Sequence, residues 1–302
     1  MLLKISFMEF ANEPKKDYSW GGSWTDKKLA AFVKYVDAYL TIMAKYPQFK
    51  TIYFDGFAGS GERGEMKQND LFSELHLDNE ETYLYQGAAE RLMKFDKAFD
   101  FYYFVEKDEI SLKKLQSKLD NLPNRAGRTI EYRKGDCNEQ VKKLALALQQ
   151  SKSLAALVFL DPFGMQLDWD TIASLRDTRS DIWILIPTGV IVNRLLDKKC
   201  KLMFSKKLTS FFGMNEVEIR KLFYSETQTP TLFGEEETLI QKVNKPIQQI
   251  AGIYSENLKT IWKYVTQPLP LLNSSGTPIF HFVFASNNEA GGRIAKYIIE
   301  KS

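Results

Sequence analysis

Five short apolar runs recur along the first part of the chain, and each closes on an acidic or turn-forming residue. They are Thr51 to Phe54, closed by Asp55; Phe101 to Val105, closed by Glu106; Thr129 to Arg133, followed by Gly135 and Asp136; Ala155 to Leu160, closed by Asp161; and Asp181 to Ile186, followed by Pro187. Runs of this length without polar alternation predict strands buried on both faces of a parallel sheet. Amphipathic stretches of helix length precede three of them: Gln86 to Phe95, Ile110 to Leu119 and Asn138 to Gln149. Upstream, Leu29, Phe32, Val33, Val36, Leu40 and Met43 recur at helical spacing, with Thr25 as a candidate cap and Pro47 marking the end. Strand and helix in alternation predict an α/β fold with a doubly wound, mostly parallel sheet.

The alternation stops near Leu195. From residue 196 to 264 the chain is mostly helical in character and more charged. Lys198, Lys199, Lys201, Lys206 and Lys207 are interleaved there with Phe204, Phe211 and Phe212, and Glu235, Glu236 and Glu237 form an acidic counterpart. Val265 to Leu272 and Ile279 to Ala285 then bracket a turn rich in Ser, Gly and Pro, which predicts an antiparallel hairpin and brings the sheet to seven strands. A last helix is expected over Gly292 to Lys301. The predicted organisation is a sheet domain of residues 1–195 and 265–302, with 1–48 an N-terminal helical extension, and an inserted helical subdomain over 196–264. Trp20 and Trp24 flank Gly21 and Gly22, and read either as a hydrophobic anchor for the first helix or as a wall of a ligand pocket.

Composition narrows this picture modestly. At 302 residues, 44% hydrophobic and 26% charged, the chain has the apolar content for a full core and is not expected to be disordered. A net charge of +3 excludes binding nucleic acid through bulk charge but leaves room for a local basic patch. Two cysteines and two histidines, far apart, support neither a disulfide scaffold nor a zinc site, and predict an intracellular, cytoplasmic chain. No stretch approaches the roughly 18 apolar residues of a membrane span, and the N-terminus lacks a signal-peptide pattern, so no membrane partner is expected.

In an open α/β sheet, ligands bind beyond the carboxyl ends of the strands. Asp55, Glu106, Asp136 and Asp161 would converge on that rim and repel each other, unless a ligand brings hydroxyl and N–H donors or a positive charge. An adenosine with a sulfonium centre brings all three. After the first strand, Asp55-Gly56-Phe57-Ala58-Gly59-Ser60-Gly61 places glycines where a backbone must approach a ligand closely. Gly59 to Gly64 also matches the dinucleotide fingerprint G-x-G-x-x-G, but the residues that follow make a poor helix. The next strand-end acid, Glu106, also lies about 50 residues on instead of about 20.

In Phe104-Val105-Glu106-Lys107-Asp108, Glu106 is placed to accept both ribose hydroxyls, with Lys107 and Asp108 flanking the adenine. A strand-end acid capping the next helix is the alternative. Gly135-Asp136-Cys137 would bring a carboxylate or a backbone N–H to the adenine edge, and Cys137 suits a small buried residue better than a nucleophile. Leu160-Asp161-Pro162-Phe163-Gly164 is the most informative segment. The proline fixes the turn and removes a donor, so the carbonyls there point outward. With the Asp161 carboxylate they can hold an exocyclic amine by its N–H bonds, leaving the nitrogen lone pair aimed at an electrophile. Phe163 can stack on the base that carries the amine. Positioning and electrostatics would do most of the catalysis. A plain Asp-Pro turn is the alternative.

Together, D-G-F-A-G-S-G, V-E-K-D, G-D-C and D-P-F-G resemble the motifs of class I S-adenosylmethionine-dependent methyltransferases. The first is similar to the F-A-G-x-G form of RNA base methyltransferases. D-P-F-G is similar to that of tRNA guanine N2-methyltransferases, a variant of the [DN]-P-P-[YF] box of amino-methylating enzymes. The chain also resembles the three-Cys-motif partner family of bacterial proteins, through Trp24-Thr25-Asp26-Lys27-Lys28-Leu29, Tyr53 to Gly59, Leu160 to Gly164 and Phe282 to Asn287.

The resemblance implies a Rossmann-like methyltransferase fold that uses S-adenosylmethionine. The cofactor would lie against Asp55, Phe57, Ala58, Gly59, Gly61, Glu106, Lys107, Asp136, Cys137 and Asp161, with Asp161, Pro162 and Phe163 holding the target. The leading expectation is methylation of an amine of an RNA or DNA base, contacted by Arg194, Lys198, Lys199, Lys206 and Lys207; Arg179 is a weaker phosphate contact. The same lysines equally suit a solvated helix face. Two other functions stay open. One is a binding partner of a three-cysteine, radical-SAM-like protein encoded nearby, without transfer activity of its own. The other is methylation of a protein or small molecule.

Overall fold

Each of the five apolar runs forms a strand, and the ends fall within a residue of the pattern. The computed structural model describes residues 23–61, 87–197, 202–230 and 236–302. In it β1 (Lys50–Asp55), β2 (Phe101–Glu106), β3 (Thr129–Lys134), β4 (Leu154–Leu160) and β5 (Ser180–Ile186) pair in parallel, in the order β3-β2-β1-β4-β5. The winding reverses between β1 and β4, so the sheet is doubly wound, with its crevice where those two strands end.

α1 (Ser23–Met43) precedes the sheet, with Thr25 inside its first turn instead of at the predicted cap position. α2 (Ala88–Met93), α3 (Glu109–Asp120) and α4 (Cys137–Gln150) fall in the crossovers. Asp108 caps α3 through Ser111 N (2.9 Å), and Asp136 caps α4 through Asn138 N (2.8 Å). A short helix that the pattern does not reveal, α5 (Trp169–Ala173), lies between β4 and β5.

Of the predicted N-terminal extension, residues 1–22 lie outside the described residues; α1 itself is a core element. Its apolar stripe lies on one face of the sheet, where Phe32 stacks on Phe159 at 4.2 Å between ring centroids. Tyr35 meets Phe284 at 4.6 Å and Trp183 at 5.6 Å. The helix runs opposite to the strands. Tyr39 stacks on Phe99, just before β2 begins, while Lys28 bonds Asp161, just after β4 ends.

The segment after β5 is less helical than predicted. α6 (Ser205–Phe212), α7 (Glu216–Phe223) and α8 (Pro246–Lys259) are there, but β6 (Tyr224–Pro230) and β7 (Glu236–Lys242) form an antiparallel ribbon between them. Ser225-Glu226-Thr227-Gln228-Thr229 has no apolar residue to give an alternating signal, so nothing in the sequence sets this strand apart from the helical segment expected there. Lys242 ties the ribbon to the turn after β5, donating to Asn193 O (2.8 Å), Asn193 Oδ1 (2.8 Å) and Leu196 O (2.6 Å).

The C-terminal antiparallel strands are present. β10 (Pro278–Ser286) runs antiparallel beside β5, and β8 (Tyr264–Val265) and β9 (Leu269–Leu272) share its other edge. The described sheet therefore has eight strands, not seven. The reason is Pro268, which has no N–H for the ladder and interrupts the run expected over Val265 to Leu272. In that gap the Thr266 hydroxyl accepts from Phe284 N at 3.0 Å. α9 (Glu289–Glu300), capped by Asn288, closes the chain. No described helix is long and apolar enough to cross a membrane.

The turn after β5 presses against the start of β10. A Cβ on Gly189 would stand 2.2 Å from the Pro278 carbonyl oxygen, and backbone on both sides leaves no flexible group to yield. Gly189→Ala is therefore expected to cost at least about 1–3 kcal/mol, read as a lower urea midpoint with unchanged slope. An unchanged midpoint would mean that this contact is not made in solution.

Candidate ligand site

The strands present their acidic ends on one rim because their registers align. Asp55 lies level with Phe104 of β2 and Phe159 of β4, so Glu106 and Asp161 each stand two residues beyond it. Asp55 is buried; its Oδ1 accepts from Phe57 N (3.1 Å) and its Oδ2 from the Tyr53 hydroxyl (3.1 Å). Burial pushes its carboxyl up to about 7, and the negative charges of Asp161 and Glu106 add to the rise while its two hydrogen bonds oppose it.

The loop after β1 is held on that rim by its neighbours. Gly56 N donates to Phe159 O (3.0 Å), Ala58 N to Val105 O (2.9 Å) and Gly59 N to Glu106 Oε2 (3.0 Å). Gly59 and Gly61 have φ of 62° and 65°, the left-handed region that only glycine enters at little cost. Lys118 of α3 donates to Gly61 O and pairs with Glu90 of α2 at 2.7 Å, so the exit of the loop is fastened as well. Residues 62–86, including the rest of the G-x-G-x-x-G match, lie outside the described residues.

Glu106 is half-buried and bridges two elements, since its Oε1 accepts from Asp108 N (2.9 Å). Each carboxylate oxygen keeps a second lone pair for a ligand hydroxyl. Lys107 and Asp108 are exposed. The predicted adenine-edge residues are committed locally. Asp136 gives its Oδ1 to the cap of α4. Cys137 is buried beneath Gly56, with Sγ 2.6 Å from where a Cβ there would stand. Burial pushes its thiol well up, so Cys137 is a packing residue and not a nucleophile.

Asp161 is 1% exposed, and so is Lys28. The Lys28 ammonium bonds Asp161 Oδ2, whereas Asp161 Oδ1, equally buried, has no hydrogen-bond partner among the described residues. Lys28 Nζ also lies 5.5 Å from the centre of the Trp24 ring, which rests on Phe280 at 5.2 Å. Trp24 is buried against Phe280 and anchors the start of α1, while Trp20 lies outside the described residues. Pro162 is buried and Phe163 half-exposed. Asn138 fastens their loop to α4, donating to Gln166 O (2.8 Å) and accepting from Asp168 N (3.0 Å).

The basic candidates divide. Arg194, Lys206 and Lys207 are exposed, while Lys198, Lys199 and Lys201 lie outside the described residues. Phe211 and Phe212 are core residues, which leaves Phe204 as the exposed aromatic of that cluster. Arg179 is far from the rim, at the start of β5. Its guanidinium covers the Phe49 ring at 4.2 Å and donates to Lys152 O at 2.6 Å, so it is a structural cation. Among the described residues no cluster suited to a metal ion occurs.

Lys118 and Asn138 escaped the sequence reading, and Lys28 entered it within the Trp24-to-Leu29 motif without a role at the site. Lys28 alone left a trace: it sits four residues before Phe32, on the stripe that α1 buries, where a lysine is out of place.

No family model matches the chain, and no curated protein matches it. Among solved structures, protein LPL1258 from Legionella pneumophila is similar with a TM-score of 0.41 and 12% identity, over 90% of this chain and 99% of that one. A complex of Trm1 from Pyrococcus horikoshii with S-adenosyl-L-methionine gives a TM-score of 0.40 and 10% identity, over 92% of this chain and 58% of that one. A SAM-dependent methyltransferase from Methanosarcina mazei gives 0.32 and 10%, over 78% of this chain and 91% of that one. At such scores these likenesses carry no weight beside the strand order itself, which makes the chain a doubly wound, mostly parallel α/β protein with antiparallel C-terminal strands.

Proposed function

We propose that the protein is an S-adenosylmethionine-dependent methyltransferase acting on the amine of a nucleic-acid base. The observation that carries this reading is the buried Asp161 Oδ1, an acceptor without a donor, on the same rim as the Gly59–Glu106 cradle. A buried acceptor left open costs free energy unless a ligand supplies the missing N–H. The motif resemblance names the cofactor, and the residues present fit it. Gly59 and Gly61 leave room for close approach, Glu106 has lone pairs for a ribose, and carboxyl groups at Asp55 and Asp161 suit a cation.

When bound, S-adenosylmethionine would supply an electrophilic methyl group on a sulfonium and leave as a neutral thioether. The chain's own part is to place the nucleophile. Asp161 Oδ1 would accept one amine N–H, orient the nitrogen lone pair and take up the proton that the methylated nitrogen sheds. Phe163 would stack on the base. A base in a duplex would have to be flipped out to reach them. The exposed Arg194, Lys206 and Lys207 suit phosphate contacts beside this rim.

Calorimetric titration with S-adenosylmethionine and S-adenosylhomocysteine, with NAD as control, tests the pocket. Glu106→Gln should weaken both ligands by roughly tenfold or more, because it disturbs a charge-assisted acceptor and the seat of Gly59 at once. Equal affinity in the variant would remove Glu106 from the ribose, and tight binding of NAD alone would favour the dinucleotide reading. Short homopolymers then test the acceptor: oligomers of A, C or G carry an exocyclic amine and oligo-U does not. Intact cofactor binding with no transfer would favour the function in which this chain serves a cysteine-rich partner, in keeping with its resemblance to the three-Cys-motif partner proteins.

A further inference from the structure

We propose that Lys28 is a positioning residue for methyl transfer: its ammonium engages Asp161 Oδ2 and so presents Oδ1 as the acceptor for the incoming amine. The inference rests on the function proposed above and adds to it a group from outside the strand-end motifs.

A buried ion pair is a poor source of stability, since desolvation offsets most of the attraction and apolar side chains of similar size serve the fold as well. Lys28 nevertheless occupies the apolar stripe of α1, and its partner is left half satisfied, with one carboxylate oxygen bonded and the other open. Of the buried atoms without a partner among the described residues, Asp161 Oδ1 is the one that belongs to a carboxylate, the group that is costliest to leave open. The open oxygen makes sense if a ligand completes it.

The geometry also explains how Asp161 keeps its orientation at the start of a proline-containing turn. The ammonium is held on a second side by the Trp24 face, and Trp24 by Phe280 of β10. A chain of contacts from β10 through α1 thereby reaches the loop after β4. α1 cannot slide along this path, because Phe32 and Tyr35 lock it onto Phe159, Trp183 and Phe284.

The test compares Lys28→Met, Lys28→Gln and Lys28→Arg with the wild type. S-adenosylhomocysteine affinity is read by calorimetry, and the rate and acceptor KM are read with the amine-bearing homopolymer that the wild type methylates. Lys28→Met should slow transfer by about a hundredfold, the scale of a misplaced reacting group, with S-adenosylhomocysteine affinity within about threefold of wild type. Lys28→Arg, which keeps the charge and the donor, should recover part of the rate. Should Lys28→Met fold poorly, Lys28→Gln, which keeps a hydrogen-bond donor to Asp161 without the charge, should fold and lose rate with S-adenosylhomocysteine affinity held, and a wild-type rate in it would overturn the proposal.

A Lys28→Met protein at the wild-type rate would overturn the proposal and leave the methyltransferase reading intact. So would a variant whose rate and cofactor affinity fall together, since that marks a merely structural role. A wild type that binds neither adenosyl ligand, or methylates no amine-bearing homopolymer, would overturn both.

Discussion

Asp161→Asn is expected to fold, to bind S-adenosylhomocysteine as the wild type does, and to transfer methyl groups at least about a hundredfold more slowly. Asparagine preserves the shape. Its carbonyl can still accept from Lys28, but its amide then points N–H donors at the position where the incoming amine also brings donors. An acceptor becomes a donor, and the amine loses both its anchor and the destination of its proton. Alanine is the less informative substitution, because it also removes the oxygen that accepts from the Lys28 ammonium and leaves a gap beside it, a structural loss that could mask the chemistry. Single-turnover rates with the accepted homopolymer, set beside calorimetric affinities, separate the two effects. An asparagine variant with wild-type rate would show that Asp161 is not what holds the amine.

The second large effect concerns Asp55, and it pits stability against binding. Burial raises the folded-state carboxyl from 3.8 to about 7. Between those values the native state holds a proton that the unfolded chain has released, so stability falls as pH rises from about 4 and levels off above about 7. A rise of that size corresponds to a loss of at most about 4 kcal/mol, as an order of magnitude. Asp55→Asn removes that loss while keeping the local contacts: its carbonyl can accept from Phe57 N, and its amide can donate to the Tyr53 hydroxyl. The variant should therefore be more stable than wild type by about 2–4 kcal/mol near pH 8 and nearly equal to it near pH 4, as read by urea denaturation.

The same ionisation should serve the ligand. A sulfonium is a cation and is attracted by an ionised Asp55, whereas the thioether of S-adenosylhomocysteine is neutral. Wild-type affinity for S-adenosylmethionine should rise from about pH 6 to about pH 8 more steeply than that for S-adenosylhomocysteine, and Asp55→Asn should flatten the difference. Parallel pH profiles for the two ligands would place the sulfonium elsewhere. A destabilised Asp55→Asn protein at high pH would mean that the native carboxylate is better solvated than its burial indicates. A gain in stability with a loss in cofactor affinity is the trade that functional sites commonly make.

Much of the framework was legible one segment at a time. β1, β2, β4 and β5 announce themselves because a strand covered on both faces is apolar nearly throughout; β3, a half-exposed edge strand with Glu131 and Arg133 among its residues, gives the weaker signal. The crossover helices show their stripes, and Asp108 and Asp136 cap α3 and α4 from positions read in the sequence as ligand contacts. A strand-end acid before a helix satisfies the cap and the ligand hypothesis alike, and the hydrogen bonds establish the cap. The β6–β7 ribbon was illegible because its strands carry too little apolar surface to show a period, and the break at Pro268 was passed over because the apolar run resumes after it.

By itself, the sequence determined the succession of the five parallel strands and their crossover helices, the fold class, the glycine loop and the acidic strand ends, because each follows from local burial patterns or backbone freedom. Tertiary structure alone decided which acids are paired, buried or open. Lys28 and Asp161 are 133 residues apart. They meet because α1 docks antiparallel to the strands through Phe32 and Tyr35, a fit set by the shapes of aromatic side chains across the sheet. Whether Asp161 keeps an open oxygen, and whether Asp55 holds its proton near neutrality, depend on distances and burial created by that docking, which no local pattern encodes.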